Sequence, residues 1–224
     1  MTDSGGTSIL GVVLAGGRSQ RFGADKAFAD LDGLSLVERT ARILATVSDR
    51  VGVVANDEAG HASHGLPVRP DLLPGIGPLG GLHTAVSWAA EEGLRGAIVL
   101  ATDMPFVPGG LLRLLARRLA VGAAVVPASR GPRGLEPLCA AYGTGCLPAI
   151  EAAIERRERA VISFFGDVDL RVVDLADVSS CGDPDVIFFN INRPEDRLRA
   201  RELLSGMQAA DAVRDAKAGH SAEG

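Results

Sequence analysis

The chain has 224 residues, of which 46% are hydrophobic and 23% are charged, and its formal net charge is -5. This negative charge argues against an extended nucleic-acid surface, which needs a basic face, and no apolar run approaches the roughly 20 residues of a membrane span. Aromatic residues make up only 4%. The core must therefore be aliphatic, which is typical of a parallel sheet covered by helices.

The cysteines and the first residues of the chain bear on its compartment. Cys139, Cys146 and Cys181 show no C-x-x-C spacing, which argues against a disulfide framework or a thiolate zinc site. The opening MTDSGGTS has neither a charged region nor a long apolar one, and so does not resemble a signal peptide. We therefore expect a cytoplasmic protein.

The first half of the chain alternates predicted strands and helices. Ser35 and Glu38 form a capping-box pattern at the start of the first helix, and Gly93 suits the position just after the second. In chain order, the patterns predict a strand over 9–14, a helix over 36–47, strands over 51–55 and 66–69, a helix over 82–92 and a strand over 97–101.

The second half continues this alternation less regularly. From Gly206 the chain is polar and rich in alanine, so we predict a single domain over 1–205 and a disordered tail over 206–224. The alternation indicates an α/β fold with an open, mostly parallel sheet and helices on both faces, in which ligands bind at the carboxyl ends of strands. The remaining predicted elements are a helix over 111–119, strands over 123–127 and 138–141, helices over 148–157 and 161–165, strands over 170–174 and 186–190, and a helix over 194–204.

A glycine-rich, basic loop follows the first predicted strand. Gly16 and Gly17 let the backbone approach a ligand closely, and consecutive N–H groups in such a loop can surround an anion. Arg18, Arg21 and Lys26 add positive charge. The spacing matches neither G-x-x-x-x-G-K-[ST] nor G-x-G-x-x-G. We interpret the stretch as a triphosphate-binding loop of another type, and the alternative is a glycine turn with solvated charges.

Three polar residues come directly after predicted strands or in the loops that follow them. Asp103 ends an apolar strand and suits a Mg²⁺ ligand, although an aspartate just before Met104 and Pro105 also suits a turn or a helix cap. Asp71 lies in a loop dense in glycine and proline, where an exposed carboxylate is the alternative to a ligand contact. Asn56 is equally suited to a turn.

Two asparagines near the end of the chain are candidates for one shared surface. Asn190 and Asn192 alternate, so their side chains point to one side if the predicted strand continues. Asn192 is equally well placed to cap the next helix, because Glu195 follows three residues later. In another loop, Arg130 and Arg133 either meet a phosphate or remain solvated.

Four ordered segments resemble those of the molybdenum cofactor guanylyltransferases, a family of nucleotidyltransferases with a three-layer Rossmann-like fold. The two-glycine form of the first segment is closer to the guanylyl branch than to the cytidylyl branch. Phe22 stands where the family commonly has Met, and Arg193 stands where it has Thr. The segments are LAGGRSQRFGADK at 14–26, GPLGG at 77–81, TDMPF at 102–106 and NINRPED at 190–196, and the resemblance extends over about residues 8–204.

This resemblance implies a role for each candidate residue. Asp103 would hold Mg²⁺, Asn190 and Asn192 would border the acceptor, and Arg21 and Lys26 would act with Asp103 in catalysis. Gly80 and Gly81 would open a helix whose free N–H groups meet ligand oxygens. The nucleotide-binding residues implied are Leu14, Ala15, Gly16, Gly17, Arg18, Ser19, Lys26, Asn56, Asp71, Gly80, Gly81 and Asp103.

The activity implied is transfer of GMP from MgGTP to the terminal phosphate of molybdopterin or its molybdenum-loaded form, with release of pyrophosphate. Proteins of molybdenum insertion and of molybdoenzyme maturation would be the partners. Two alternatives stay open. The first is the same fold using CTP or another phosphate acceptor, and the second is a non-catalytic nucleotide- or cofactor-binding protein. The presence of both Lys26 and Asp103 argues against the second.

Overall fold

A computed structural model describes residues 8–15, 30–56 and 65–220, apart from the side chains of 194 and 210–220. The strands are β1 (Ile9–Leu14), β2 (Asp30–Leu31), β3 (Leu34–Ser35), β4 (Arg50–Val54), β5 (Val68–Arg69), β6 (Gly96–Ala101), β7 (Ala123–Pro127), β8 (Cys139–Gly143) and β9 (Asp169–Val173). The α-helices are α1 (Leu36–Leu44), α2 (Pro78–Glu91), α3 (Gly109–Arg118), α4 (Leu147–Glu155), α5 (Leu175–Ser179), α6 (Pro184–Ile187) and α7 (Pro194–His220). Short 3₁₀ helices cover Thr144–Cys146 and Val161–Asp167.

The described strands form a seven-stranded sheet in the order β5-β4-β1-β6-β8-β7-β9, and β2 and β3 form a separate hairpin. All neighbours in the large sheet are parallel except β8, which runs antiparallel to both β6 and β7. Residues 128–138 join β7 to β8, and these eleven residues are fewer than a crossover between parallel strands needs, which favours the antiparallel arrangement. The predicted mostly parallel α/β sheet is confirmed.

Helices cover both faces of this sheet, as predicted. Val13 of β1 packs into a core that includes residues of α1 and α3, whereas its neighbour Val12 packs into a second core that includes residues of α2 and α4. Successive side chains of a strand point to opposite faces. A strand with a helix layer on each side therefore reads as a continuous apolar run, which is how β1 reads in the sequence.

The helix signals of the first half are confirmed, but α1 ends at Leu44 rather than at 47, and the start of α2 is also shifted. Ser35 caps α1, because its hydroxyl accepts a hydrogen bond from the Glu38 N–H at 3.2 Å and its own N–H donates to Glu38 Oε2 at 2.9 Å. Gly93 follows α2 with φ at 71°. The helix α2 begins at Pro78, four residues earlier than predicted, because proline is favoured in a first helical turn.

The predicted strand over 186–190 is wrong. The chain forms the short helix α6 there, and residues 188–193 have no regular secondary structure. Asp183 is the N-cap of α6 and its carboxylate accepts a hydrogen bond from the Asp185 N–H at 3.0 Å, while Pro184 occupies the first turn. This local capping outweighs the strand preference of the apolar residues that follow.

The last helix is longer than predicted. α7 continues to His220, whereas the predicted helix ends at 204. Residues 207–220 contain no proline and are rich in alanine, and this composition favours a helix even without an apolar stripe. Across the described part of the chain, no helix combines the length and the apolar character that a membrane crossing requires.

Candidate functional site

The carboxyl ends of three parallel strands lie side by side at one edge of the sheet. Leu14, the last residue of β1, is in register with Val54 of β4 on one side and with Ala101 of β6 on the other. Two hydrogen bonds extend this alignment past the strands, from the Ala15 N–H to the Val54 carbonyl at 3.0 Å and from the Thr102 N–H to the Leu14 carbonyl at 3.3 Å. The loops that follow the three strands therefore leave from the same edge.

Asn56 and Asp71 form a pair at this edge. The Asn56 side-chain amide donates to Asp71 Oδ2 at 3.5 Å, and the Asp71 backbone N–H donates to Asn56 Oδ1 at 3.3 Å. The loop after Asp71 is held on α2, because the Leu72 N–H donates to the Thr84 hydroxyl at 3.0 Å. These bonds set the orientation of the Asp71 carboxylate, which the sequence left open.

One oxygen of the Asp71 carboxylate lacks a hydrogen-bond donor among the described residues. This oxygen, Oδ1, is buried. Burial raises the pKa of the Asp71 carboxyl, and the hydrogen bond from Asn56 lowers it in part. A buried acceptor without a donor is unfavourable by itself. The geometry therefore favours a ligand that brings an N–H or O–H group to this oxygen.

Gly81 provides the space beside that oxygen. A Cβ atom at Gly81 would lie 3.5 Å from Asp71 Oδ1 and 3.7 Å from Leu14 Cδ2. The absence of a side chain at this position leaves an open corner bounded by a carboxylate and an apolar side chain. Such a corner suits a flat base, which combines an apolar face with polar edges.

The two glycines of α2 act differently from the prediction. Their N–H groups are not free, because both donate to the Gly77 carbonyl, from Gly80 at 3.0 Å and from Gly81 at 3.4 Å. The helix begins before them, so their amides already belong to its first turn. The expectation of free N–H groups at Gly80 and Gly81 is therefore wrong, and what Gly81 provides is room.

Asp103 lies at the same edge, just after β6. Its backbone carbonyl accepts a hydrogen bond from the Ile191 N–H at 2.9 Å. This bond brings the segment that contains Asn190 and Asn192 next to the predicted metal ligand. The structure thus places three of the residues singled out in the sequence close together, although the last two are far from Asp103 along the chain.

The asparagines themselves do not follow the predicted pattern. The Asn190 side chain donates to the Phe188 carbonyl at 2.9 Å. The N–H groups of Asn192 and Arg193 both donate to one oxygen of Asp196, each at 2.7 Å. Because α7 begins at Pro194, the capping interaction is one residue later than the predicted pair of Asn192 and Glu195. With no strand here, the two side chains do not share a side through strand alternation.

Glu136 is a second carboxylate near Asp103; the sequence indicates it only as part of the segment 136–142, which resembles the acceptor side of the family. Burial raises the pKa of Glu136; a backbone hydrogen bond from Leu138 lowers it, the negative charge of Asp103 raises it further, and Arg133 lowers it. The reversed direction of β8 explains the meeting, because its first residues lie beside the last residues of β6. The Ala101 N–H donates to the Leu138 carbonyl at 2.9 Å.

These carboxylates are consistent with a divalent cation at this edge. Oxygen ligands from one or two carboxylates and from phosphates are those that Mg²⁺ prefers. The described residues contain no cluster of three or more His, Cys, Asp or Glu side chains suited to a metal ion. Asp103 therefore fits a cation whose remaining ligands come from substrate oxygens and water, rather than one enclosed by protein.

Other predicted residues are either engaged elsewhere or outside the described part of the chain. Arg130 pairs with Asp185 at 2.8 Å and lies 3.8 Å from Asp183, which joins the loop before β8 to α6. It therefore holds two segments together, whereas the exposed Arg133 acts on Glu136. The predicted residues Gly16, Gly17, Arg18, Ser19, Arg21 and Lys26 lie outside the described residues.

The fold and this edge define the class of protein as an α/β nucleotidyltransferase. At the ends of the parallel strands, Leu14, Asp71 and Gly81 lie together, and Asp103 provides a carboxylate suited to a metal. The chain belongs to the family of the MobA-like NTP transferase domain, whose model matches residues 11–170.

Comparisons with individual proteins agree with this membership. The chain is 36% identical over 193 residues to a probable molybdenum cofactor guanylyltransferase of Pelotomaculum thermopropionicum, covering 86% of this chain and 92% of the relative. It is 33% identical over 199 residues to a molybdenum cofactor guanylyltransferase of Rhodobacter capsulatus, covering 88% and 96% respectively.

Solved structures of similar proteins share the fold. The molybdopterin-guanine dinucleotide biosynthesis protein A of Archaeoglobus fulgidus superimposes with a TM-score of 0.71 at 26% identity, covering 88% of this chain and all of that one (100%). The Rv0371C protein of Mycobacterium tuberculosis, solved in complex with manganese, has a TM-score of 0.61 at 15% identity and covers 87% of this chain and 98% of its own. The second likeness bears on the fold alone.

Proposed function

We propose that this protein is a molybdenum cofactor guanylyltransferase. It transfers GMP from GTP to the terminal phosphate of molybdopterin, or of its molybdenum-loaded form, and releases pyrophosphate. The observation that carries the proposal is the convergence of Leu14, Asp71, Gly81 and Asp103 on one edge of the sheet. The names of the full-length relatives support the same activity.

The corner beside Asp71 Oδ1 supports a base that carries an N–H donor; all four common bases carry one, so the choice of guanine rests on the relatives. Asp71 Oδ1 is a buried acceptor without a donor, and guanine carries N–H groups at N1 and N2 on one edge. The Asn56 amide holds the other carboxylate oxygen, so Oδ1 is the atom that meets the base. A base that placed no N–H group at Oδ1 would leave this buried oxygen without a partner, which is unfavourable.

The reaction needs no general base, because the acceptor phosphate is already an anion. One of its oxygens forms a bond to the α-phosphorus of GTP, and the bond from that phosphorus to the oxygen bridging to the β-phosphorus breaks. A Mg²⁺ ion held by Asp103 would neutralise charge on the phosphates. Arg21 and Lys26 would add positive charge, so catalysis depends on positioning and electrostatic stabilisation.

The acceptor enters from the side of Asp103 that faces the late segment. Asn190 and Asn192 flank Ile191, whose N–H group is bonded to Asp103, so an acceptor phosphate near the metal is also near these amides. Arg133 is exposed on the adjoining loop and offers a cation for the same acceptor. The acceptor and GTP would thus meet at the strand ends.

A nucleotide panel tests the proposal. The purified protein is incubated with Mg²⁺ and GTP, CTP, ATP or UTP, with and without molybdopterin, and pyrophosphate release is measured together with the mass of the product. We expect turnover with GTP and only when molybdopterin is present. Turnover with CTP and not with GTP would make the protein a cytidylyltransferase. Nucleotide binding without pyrophosphate release would favour a non-catalytic binding protein.

A further inference from the structure

A third apolar cluster lies apart from the two cores that cover the sheet. We call it the edge cluster, and its buried members are Leu31, Leu36, Phe106, Ile191 and Ala200. Each member comes from a different part of the chain, namely the β2–β3 hairpin, α1, the segment after Asp103, the segment before α7, and α7 itself. The cluster therefore joins five segments, and two of them, those of Phe106 and Ile191, adjoin Asp103.

Ile191 is tied to this cluster and to the metal site at once. Its backbone N–H donates to the Asp103 carbonyl at 2.9 Å, and its side chain is only 1% exposed. Residues 188–193 form neither helix nor strand. The backbone on either side of Ile191 consequently lacks the ladder of hydrogen bonds that would hold it in a regular element.

The hairpin on the other side of the cluster is also held by α7. Arg197 donates to the Asp30 carbonyl at 3.3 Å, and the Gln208 side chain donates to Asp32 Oδ2 at 2.9 Å. Both hydrogen bonds are exposed, so the apolar packing of the hairpin in the cluster comes from Leu31, which is 2% exposed. These bonds hold α7 and the hairpin together, and Ile191 packs in the cluster to which both contribute.

We propose that Ile191 is a positioning residue, which fixes Asp103 relative to Asn190 and Asn192 by anchoring their common backbone in the edge cluster. This inference rests on the proposed function, because it assigns Asp103 to the metal and the asparagines to the acceptor. Ile191 touches neither substrate. Its side chain holds the segment in place, and its N–H group transmits that position to the Asp103 carbonyl.

The buried side chain at position 191 serves the site in a way that an equally buried core residue does not. Ile150 of α4 is 0% exposed and packs in the core on the face of the sheet that α2 and α4 cover. Truncation of either isoleucine removes the same atoms from a buried environment. Only truncation at 191 frees a segment that is bonded to Asp103, so the two variants separate loss of packing from loss of positioning.

The test compares Ile191→Ala with Ile150→Ala and Asp103→Ala. GMP transfer is measured as kcat and KM, and Mn²⁺ affinity is measured by electron paramagnetic resonance in the presence of α,β-methylene GTP, which cannot be cleaved at the α-phosphorus. We expect both isoleucine variants to lower the melting temperature, and only Ile191→Ala to lower kcat and Mn²⁺ affinity, each by about tenfold or more. Ile191→Val should show a smaller loss in the same direction, and Ile150→Val none.

Equal kcat and equal Mn²⁺ affinity in Ile191→Ala and Ile150→Ala would overturn the positioning role. If Ile191→Ala does not fold, the same comparison is made between Ile191→Val and Ile150→Val, and equal values overturn it there. The proposed function fails on different results, namely no GMP transfer by the unaltered protein or unchanged Mn²⁺ affinity in Asp103→Ala. If the unaltered protein transfers no GMP but binds Mn²⁺, the Mn²⁺ affinities of the variants at 191 and 150 still test the positioning role.

Discussion

Asn56 and Asp71 exchange two hydrogen bonds, at 3.5 and 3.3 Å, and leave the second oxygen of the Asp71 carboxylate without a donor. One residue follows β4 and the other follows β5, so their pairing depends on two adjacent strands. The pair presents a single oriented acceptor to the corner beside Gly81. This arrangement leads to the first prediction.

Asp71→Asn should weaken GTP binding. The substitution keeps the shape of the side chain and removes the charged acceptor, so KM for GTP should rise about 10- to 100-fold, as expected for loss of a charged hydrogen bond of about 1.5–3 kcal/mol. Steady-state kinetics with GTP measures this. Glu155→Gln, at an exposed carboxylate on α4, is the matched control and should leave KM unchanged. An unaltered KM in Asp71→Asn would remove Asp71 from the nucleotide site.

The same carboxylate should cost stability at neutral pH. Burial raises the pKa of Asp71 above its ordinary value of 3.8, so the folded protein holds this proton more tightly than the unfolded chain does. Stability therefore falls as pH rises from the unfolded pKa through the raised folded pKa. At pH 7 we expect the melting temperature of Asp71→Asn to equal or exceed that of the unaltered protein. The difference in melting temperature should shrink as pH falls through the raised pKa of Asp71. A lower melting temperature in the variant at pH 7 would contradict this.

Gly81→Ala should impair nucleotide binding and not folding. The added Cβ would be in ordinary contact with Asp71 Oδ1 at 3.5 Å, and alanine favours a helix over glycine by up to about 1 kcal/mol. Because the methyl group occupies the corner beside the base, KM for GTP should rise about tenfold, which corresponds to about 1.4 kcal/mol. Kinetics and thermal unfolding measure the two effects.

Gly110→Ala is the control for this substitution. Gly110 lies in the first turn of α3, where a Cβ would find only Cys181 Sγ, at 3.9 Å. The Gly110→Ala variant should be as stable and as active as the unaltered protein. If both alanine variants bind GTP normally, the space at Gly81 is not used by the nucleotide.

Asp103→Asn should greatly lower Mg²⁺-dependent turnover while the protein stays folded. Removal of the charge that holds the cation should lower kcat by about 10²–10³-fold, the range seen when an electrostatic group is removed from an active site. Turnover is measured across a Mg²⁺ titration, and circular dichroism checks the fold. Asp167→Asn, at an exposed carboxylate, should retain full activity. Retention of wild-type turnover by Asp103→Asn would exclude it as the metal ligand.

Gly52→Ala tests the packing between β4 and α2. A Cβ at Gly52 would lie 2.2 Å from Trp88 Cη2, so the indole must move, and overpacking of this kind costs about 1–3 kcal/mol. Gly122→Ala, where a Cβ meets no atom within 4 Å, should unfold close to the unaltered protein in urea. Equal urea midpoints for the two variants would show that Trp88 is free to adjust.

Local signals in the sequence predicted several elements well. The strand over 123–127 has the predicted bounds, and the capping pair Ser35 and Glu38 makes both of its hydrogen bonds. These features depend on residues close together in the chain, so the pattern contains nearly all of the relevant interactions. Asp103 could be placed at a strand end for the same reason, because its position follows from the apolar run before it.

The tertiary structure decided what lies around that strand end. The antiparallel direction of β8 brings Glu136 near Asp103. The hydrogen bond from the Ile191 N–H to the Asp103 carbonyl brings Asn190 and Asn192 there as well. Asn190 follows the helix α6, whereas the sequence predicts that it ends a strand. The role of Gly81 was also decided by the tertiary structure. Its N–H donates to the Gly77 carbonyl, and its missing side chain leaves space next to Asp71. The sequence by itself determined most strands of the large sheet, their apolar faces and the polar residues at their ends, because these follow from local periodicity. Which of those ends meet, and which atoms remain free for a ligand, depends on contacts between residues far apart in the chain, and only folding creates them.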